Sequence, residues 1–120
     1  MMDYLNVIIL ALVIFYFIKR LLPAKGVKQI STTDLKKALT DKNKQFIDVR
    51  TPGEFRVNNI RGFNNIPLHQ LAKNANKLSK EKEVVVICQS GMRSNKASKL
   101  LKKQGFKQVT NVKGGMSAWS

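Results

Sequence analysis

The 120 residues contain one cysteine, one histidine and one tryptophan. With Cys88 as the single thiol, no disulfide can close within the chain and no two-cysteine redox centre can form. Any sulfur chemistry must run on one sulfur at a time, which suits a reducing compartment. His69 has no cysteine or histidine companion at metal-ligand spacing, so no metal is expected. Its place at a helix start points to a solvent-facing side chain. Acidic residues are scarce, with 7 Asp and Glu against 22 Lys and Arg, a net charge of +15. Such an excess attracts nucleic acid, acidic head groups or small anionic substrates. No run of five or more like charges occurs, and neither a nucleic-acid motif nor an aromatic stacking platform is present. The charge therefore reads as a solvated surface biased towards anionic membrane, with no nucleic-acid partner. There are no internal repeats, and the length leaves room for one domain of roughly 100 residues.

Charge is nearly absent from the first 18 residues. Tyr4 to Ile18 is apolar apart from Asn6, and Lys19, Arg20, Leu21, Leu22 and Pro23 follow. The run to Leu22 approaches the ~20 residues that cross a hydrocarbon core, with Tyr4, Tyr16, Lys19 and Arg20 as interfacial anchors. A cleaved secretory signal would carry a positive leader, and this one carries Asp3. A buried helix of the soluble domain is the other alternative, and it would have to be apolar on all faces. Residues 1–22 are thus expected to be a transmembrane anchor and 4–22 to meet the membrane. Residues 23–29 would form a linker containing Gly26, and 30–120 a folded domain. Positive charge after the span, reinforced by Lys25 and Lys28, puts the domain on the cytoplasmic side of the cell membrane and the N-terminus outside.

In that domain Ser31-Thr-Thr-Asp34 reads as a capping box opening a helix, with Leu35, Ala38 and Leu39 inward. Asp41–Lys44 is a turn and Phe46–Val49 a short strand. Pro52–Arg56 is a brief helix begun by proline, and Leu68, Leu71, Ala75 and Leu78 mark the face of another. Glu83–Cys88 (EVVVIC) is the clearest strand, and its unbroken Val/Ile run suits the covered centre of a parallel sheet. Gln89–Arg93 is a loop. Ser94 starts a helix with Ala97, Leu100, Leu101 and Gln104 on one side, and Gly105 stops it. Phe106–Val112 is a strand, and Gly114-Gly115 precedes a last helical turn at Met116–Trp119. Strands alternating with helices predict an open α/β sheet.

Ligands of such sheets bind beyond the carboxyl ends of the strands. Cys88 stands at that end of the central strand, before a tight loop and a helix start. Backbone N–H groups and the helix dipole there favour an ionised, nucleophilic sulfur. Arg93 adds positive charge and a two-pronged hold on an anion, and Gly91 admits backbone angles that other residues avoid. A cysteine can equally fill a core as a small apolar residue, but a filler needs no Gly/Arg loop after it. Asp48 reads as a structural hydrogen-bond partner of the neighbouring loop, and Arg50 as pairing with Glu54 to pin it. Trp119 reads as a packing residue. Lys96, Lys99 and Lys103 read as a solvated face that also draws anions.

Cys-Gln-Ser-Gly-Met-Arg-Ser at 88–94 resembles the active-site loop of single-domain rhodaneses. Three further segments agree in order: Ile47-Asp-Val-Arg50 with Glu54-Phe55, Ile60-Arg-Gly62 with Asn65-Ile-Pro67, and Val112-Lys-Gly-Gly-Met-Ser-Ala-Trp119. The likeness runs from about Ile30 to Trp119. Asn58-Asn59 replaces the Gly-His often found in the family, which touches local geometry more than chemistry. The resemblance implies a rhodanese-like, mostly parallel sheet flanked by helices. It also implies a sulfurtransferase that needs no cofactor.

In that scheme Cys88 takes sulfur from a small anionic donor such as thiosulfate as a persulfide. The loop Gln89, Ser90, Gly91, Met92 and Arg93 binds the substrate, supported by Asp48, Arg50 and Ser94. A thiol or a protein then accepts the sulfur. Two alternatives stand beside this: a non-catalytic membrane-tethered interaction module, and a phosphatase or arsenate reductase. The related phosphatases place five residues between cysteine and arginine. Here four intervene, a cradle sized for sulfur, and no acid is evident in the loop to protonate a leaving group.

Overall fold

The computed structural model describes residues 3–22 and 25–120. Met1 and Met2 of the expected anchor, and Pro23 and Ala24 of the expected linker, lie outside the described residues. Helix α1 spans Tyr4–Leu21. It is apolar on all sides, and Leu5, Ile8, Leu12 and Phe15 are each more than half exposed. Among the described residues no helix is long and apolar enough to cross a membrane. At ~1.5 Å per residue, the 18 residues of α1 rise about 27 Å, short of a hydrocarbon core of ~30 Å.

The domain follows as β1 (Lys28–Ile30), α2 (Thr32–Ala38), β2 (Lys44–Asp48), α3 (Pro52–Val57), β3 (Asn64–Asn65), α4 (Leu68–Asn74), β4 (Glu83–Ile87), α5 (Met92–Lys103) and β5 (Val109–Val112). Short 3-10 turns sit at Ala75–Lys77 and Gly115–Ala118. The five strands form one sheet in the order β1-β5-β4-β2-β3, and every pairing is parallel. β1 begins inside the segment read as linker, so residues 28 and 29 belong to the sheet.

β4 is the spine because its side chains are covered on both faces. Val84, Val86 and Cys88 pack with Leu71 of α4 and Ala97 and Leu101 of α5. Val85 and Ile87 turn the other way, against Leu35 of α2 and Phe46, Phe63, Val112 and Met116. This period-2 alternation sends the Cys88 side chain to the α4/α5 face. Ser31 caps α2 in the expected capping box with Asp34, and a second box, Thr51 with Glu54, opens α3. After α5, Gly105 takes φ of +95° where the helix stops.

Candidate active site

β4 delivers Cys88 to the carboxyl edge of the sheet, and the chain then turns through Gln89, Ser90 and Gly91 into α5. Gly91, at φ +106°, is the residue before the helix. The helix therefore starts at Met92, two residues earlier than the serine signal suggested. Ser94 is instead fully buried, because its hydroxyl is used inside the site. Cys88 Sγ lies 2.9 Å from the Gly91 N–H, which donates to it, and 3.3 Å from Ser94 Oγ. Ser94 in turn donates to the Gly91 carbonyl at 3.2 Å. A cysteine that merely filled space would not collect an amide and a hydroxyl. Both act at the positive end of a 12-residue helix, where negative charge is favoured.

Cys88 is wholly buried among Val84, Val86 and Ala97. A reagent must therefore enter past the loop. Ser90, Gly91, Met92 and Arg93 line a cleft of about 820 Å³ there, and Met92 is 71% exposed. Gln89 sits differently: its amide nitrogen donates to Ser117 Oγ, and its carbonyl accepts from Ser117 N at 2.9 Å and Ser117 Oγ at 2.8 Å. Its side chain anchors the loop from behind.

The back of the loop explains the glycine pair near the chain end. Met116 N donates to the Cys88 carbonyl at 2.8 Å. The Gly115 backbone approaches so closely that a Cβ there would fall 2.9 Å from the Cys88 carbonyl carbon and nearer still to its oxygen. Only glycine fits at this crossing.

Asp48 and Arg50 are 0% and 2% exposed and form a buried pair. Asp48 Oδ1 accepts from the Arg50 backbone N–H at 3.0 Å, a local turn bond that brings the two side chains together. Arg50 Nε and Nη2 then donate to the carboxylate at 3.0 and 2.8 Å. Arg50 Nη2 also reaches the Asn58 carbonyl at 2.5 Å, and Asn65 Nδ2 donates to the carbonyls of Asp48 and Arg50. The Asn58-Asn59 departure is thus absorbed structurally, since Asn59 Nδ2 also closes α3 by donating to the Phe55 carbonyl at 2.8 Å.

The expected Arg50–Glu54 ion pair is replaced by Arg93–Glu54. Arg93 Nη1 and Nη2 donate to the two Glu54 oxygens at 2.6 and 2.8 Å. Arg50 is already satisfied by Asp48, and the Thr51 box turns Glu54 outward to α5. Arg93 therefore offers the cleft its charge, while a hydrogen from each terminal nitrogen is committed. Glu54 was singled out in the sequence with the wrong partner; its capping role was readable there, since Thr51-x-x-Glu54 is itself a capping signature. Ser117 and the back-side role of Gly115 carried no local signal.

Hydrogen bonds from Arg93 lower the Glu54 carboxyl from its ordinary 4.5 to about 2, against partial burial and with help from Thr51. The same contact raises Arg93. A depressed carboxyl stabilises the fold above its unfolded value and loses that contribution as pH falls through the folded one. The pair's contribution should be complete above pH 4.5 and vanish towards pH 2. Both side chains are about one-third exposed, so screening limits it to roughly 1 kcal/mol or less. Melting curves of Glu54→Gln and the parent should differ at pH 7 and converge near pH 2. A constant gap across that range would contradict the assignment.

The chain is similar to known proteins over its folded domain. Residues 31–120 match the family model of the rhodanese-like domain. A sulfurtransferase of Allochromatium vinosum is 33% identical over 95 residues, covering 78% of this chain and 89% of the relative. Bacillus subtilis YrkF is 39% identical over 98 residues, which make up 81% of this chain but only 53% of that longer protein. The crystal structure of a rhodanese-like domain protein from Staphylococcus aureus superposes with a TM-score of 0.73 at 35% identity. That match covers 78% of this chain and 92% of the other.

Proposed function

Because the chain belongs to the rhodanese-like domain family, we propose that it is a sulfurtransferase carrying sulfane sulfur on Cys88, from a donor such as thiosulfate to a thiophilic acceptor. The observation that carries the reading is the 2.9 Å approach of the Gly91 N–H to Cys88 Sγ. Ionised Cys88 attacks the outer sulfur of thiosulfate. A sulfur–sulfur bond forms to Cys88, the one inside the donor breaks, and sulfite leaves with the electron pair. The Ser94 hydroxyl, which bonds the Gly91 carbonyl in the resting state, turns to donate to the sulfur anion. The loop amides and the positive charge of Arg93 stabilise the persulfide, as preorganised donors do for other developing anions. Cyanide or a thiol then takes the outer sulfur and restores Cys88. The test is thiocyanate release from thiosulfate and cyanide by the purified chain. Turnover that stops when either reagent is left out is expected, and none at all would refute the reading.

The second part of the proposal is location. A lipid surrounding is the reading that suits the exposed apolar surface of α1 best, because among the described residues no other element buries Leu5, Ile8, Leu12 and Phe15. A helix about 3 Å short is accommodated by local thinning of the bilayer and by Lys19 reaching the interface. In this reading the chain is a single-pass protein of the cell membrane with the catalytic domain in the cytoplasm. Full-length protein should sediment with membranes and resist an alkaline wash. Recovery in the wash would refute the anchor.

A further inference from the structure

Helix α1 does not hang free of the folded domain. Its C-cap, Leu22, accepts a hydrogen bond through its carbonyl from Asn95 Nδ2 at 3.1 Å. Asn95 lies in the first turn of α5, which opens directly from the Cys88 loop. The chain then runs down that helix. Gly26 sits so near Lys102, in the last turn of α5, that a Cβ on it would meet Lys102 Cε at 3.4 Å, and β1 starts soon after at Lys28. The segment between α1 and β1 is thus laid along α5 from its N-terminal to its C-terminal end. α1 consequently leaves the domain at the carboxyl edge of the sheet, beside Cys88.

That edge carries its own kind of surface. Among the described residues beyond Leu22, Val57 and Met92 are the large apolar side chains that stand exposed, at 88% and 71%. Met92 follows the loop directly. Val57 ends α3 one turn after Glu54, which Arg93 grips with two hydrogen bonds. Both side chains therefore belong to the rim of the loop. Lys96, Lys99 and Lys113 border the same opening, together with Phe17 of α1. Among the described residues none of these three lysines is paired with a carboxylate, and Asp48 and Glu54 are taken by Arg50 and Arg93. At the opposite, amino edge the lysines are balanced, since Glu83 holds Lys44 and Glu81 holds Lys107.

We propose that the rim of the Cys88 loop rests on the anionic bilayer surface from which α1 emerges. Val57 and Met92 dip among the head groups, and Lys96, Lys99 and Lys113 hold lipid phosphates. The inference rests on the anchor reading and adds to it which face of the domain meets the membrane. If Phe17 is in lipid, an opening that borders Phe17 borders the bilayer. Anionic head groups attract lysines within a Debye length of the surface, and the Asn95 contact with the end of α1 keeps the rim inside that range. Exposed apolar side chains among unpaired lysines suit the boundary between head groups and acyl chains. The loop then opens onto the head-group layer, so reagents reach Cys88 along the membrane surface.

The test uses the full-length chain in a Cys88→Ser background, reconstituted into vesicles of phosphatidylcholine and phosphatidylglycerol. One thiol is introduced at a time, by Met92→Cys, Glu81→Cys or Leu12→Cys, and carries an environment-sensitive fluorophore. All three positions are exposed, so the fold should tolerate each change. Nitroxides on the head groups should quench the probe at 92 at least about threefold more than the probe at 81, which precedes the amino end of β4. Lys96→Glu with Lys99→Glu, or vesicles of phosphatidylcholine alone, should lower quenching at 92 at least about twofold. Equal quenching at 92 and 81, or quenching at 92 that neither change moves, overturns the proposal. Nitroxides on the acyl chains test the anchor separately. They should quench the probe at 12, and a probe there that stays bright overturns the anchor reading itself, which is a distinguishable result.

Discussion

Cys88→Ser should lower thiocyanate formation by at least about three orders of magnitude, the scale on which loss of a covalent nucleophile acts. The hydroxyl is of similar size and can accept from the Gly91 N–H that now meets Sγ. It can also exchange a hydrogen bond with Ser94. Stability should therefore stay within about 1 kcal/mol of the parent. The pairing of these two results matters. Cys88 belongs to the buried cluster with Val84, Val86 and Leu101, so inactivity with unfolding would say only that the core was damaged. Inactivity with an unchanged melting curve assigns the loss to chemistry. Activity within tenfold of the parent would remove Cys88 from the mechanism.

Asp48→Ala should cost about 3–5 kcal/mol, because removing one member of a buried ion pair strands the other charge without a counter-ion. Arg50 is 2% exposed, and its remaining acceptors are backbone carbonyls and a distant 3.5 Å contact to Gln89 Oε1. For a domain of this size the loss is a large share of total stability. Urea unfolding measures it directly. Replacing both residues, as Asp48→Leu with Arg50→Met, should recover much of the loss, since a matched apolar pair avoids the desolvation of both charges. A single-mutant loss below about 1 kcal/mol would contradict the picture of a sealed pair behind the loop. The pair reaches the site through Gln89, so partial activity loss should accompany the instability.

How much of this was readable in advance follows from where each signal resides. The Ser31 capping box, the EVVVI strand and the Gly105 stop are local. They depend on side chains within a few residues, and all three appear where the sequence put them. β1 and β3 have three and two residues. They are strands only because β5 and β2 pair with them, and no periodicity fits into so few positions. Ser94 misled the helix boundary because its type suits a cap, while its hydroxyl is spent on Cys88 and Gly91.

The nucleophile and its loop were legible because the chain runs through them continuously. Partners across the fold were not. Glu54 was assigned to Arg50, four residues away, yet it meets Arg93, 39 residues away. The crossing of Gly115 behind Cys88 likewise exists only after the sheet assembles.

The central claim is that Cys88 is held as a sulfur carrier beneath its loop. The most direct measurement is intact-protein mass after exposure to thiosulfate and removal of excess reagent. The account predicts a gain of one sulfur atom, mapped to Cys88 and erased by cyanide with release of thiocyanate. A parent chain whose mass does not change, while its fold is intact, would contradict it.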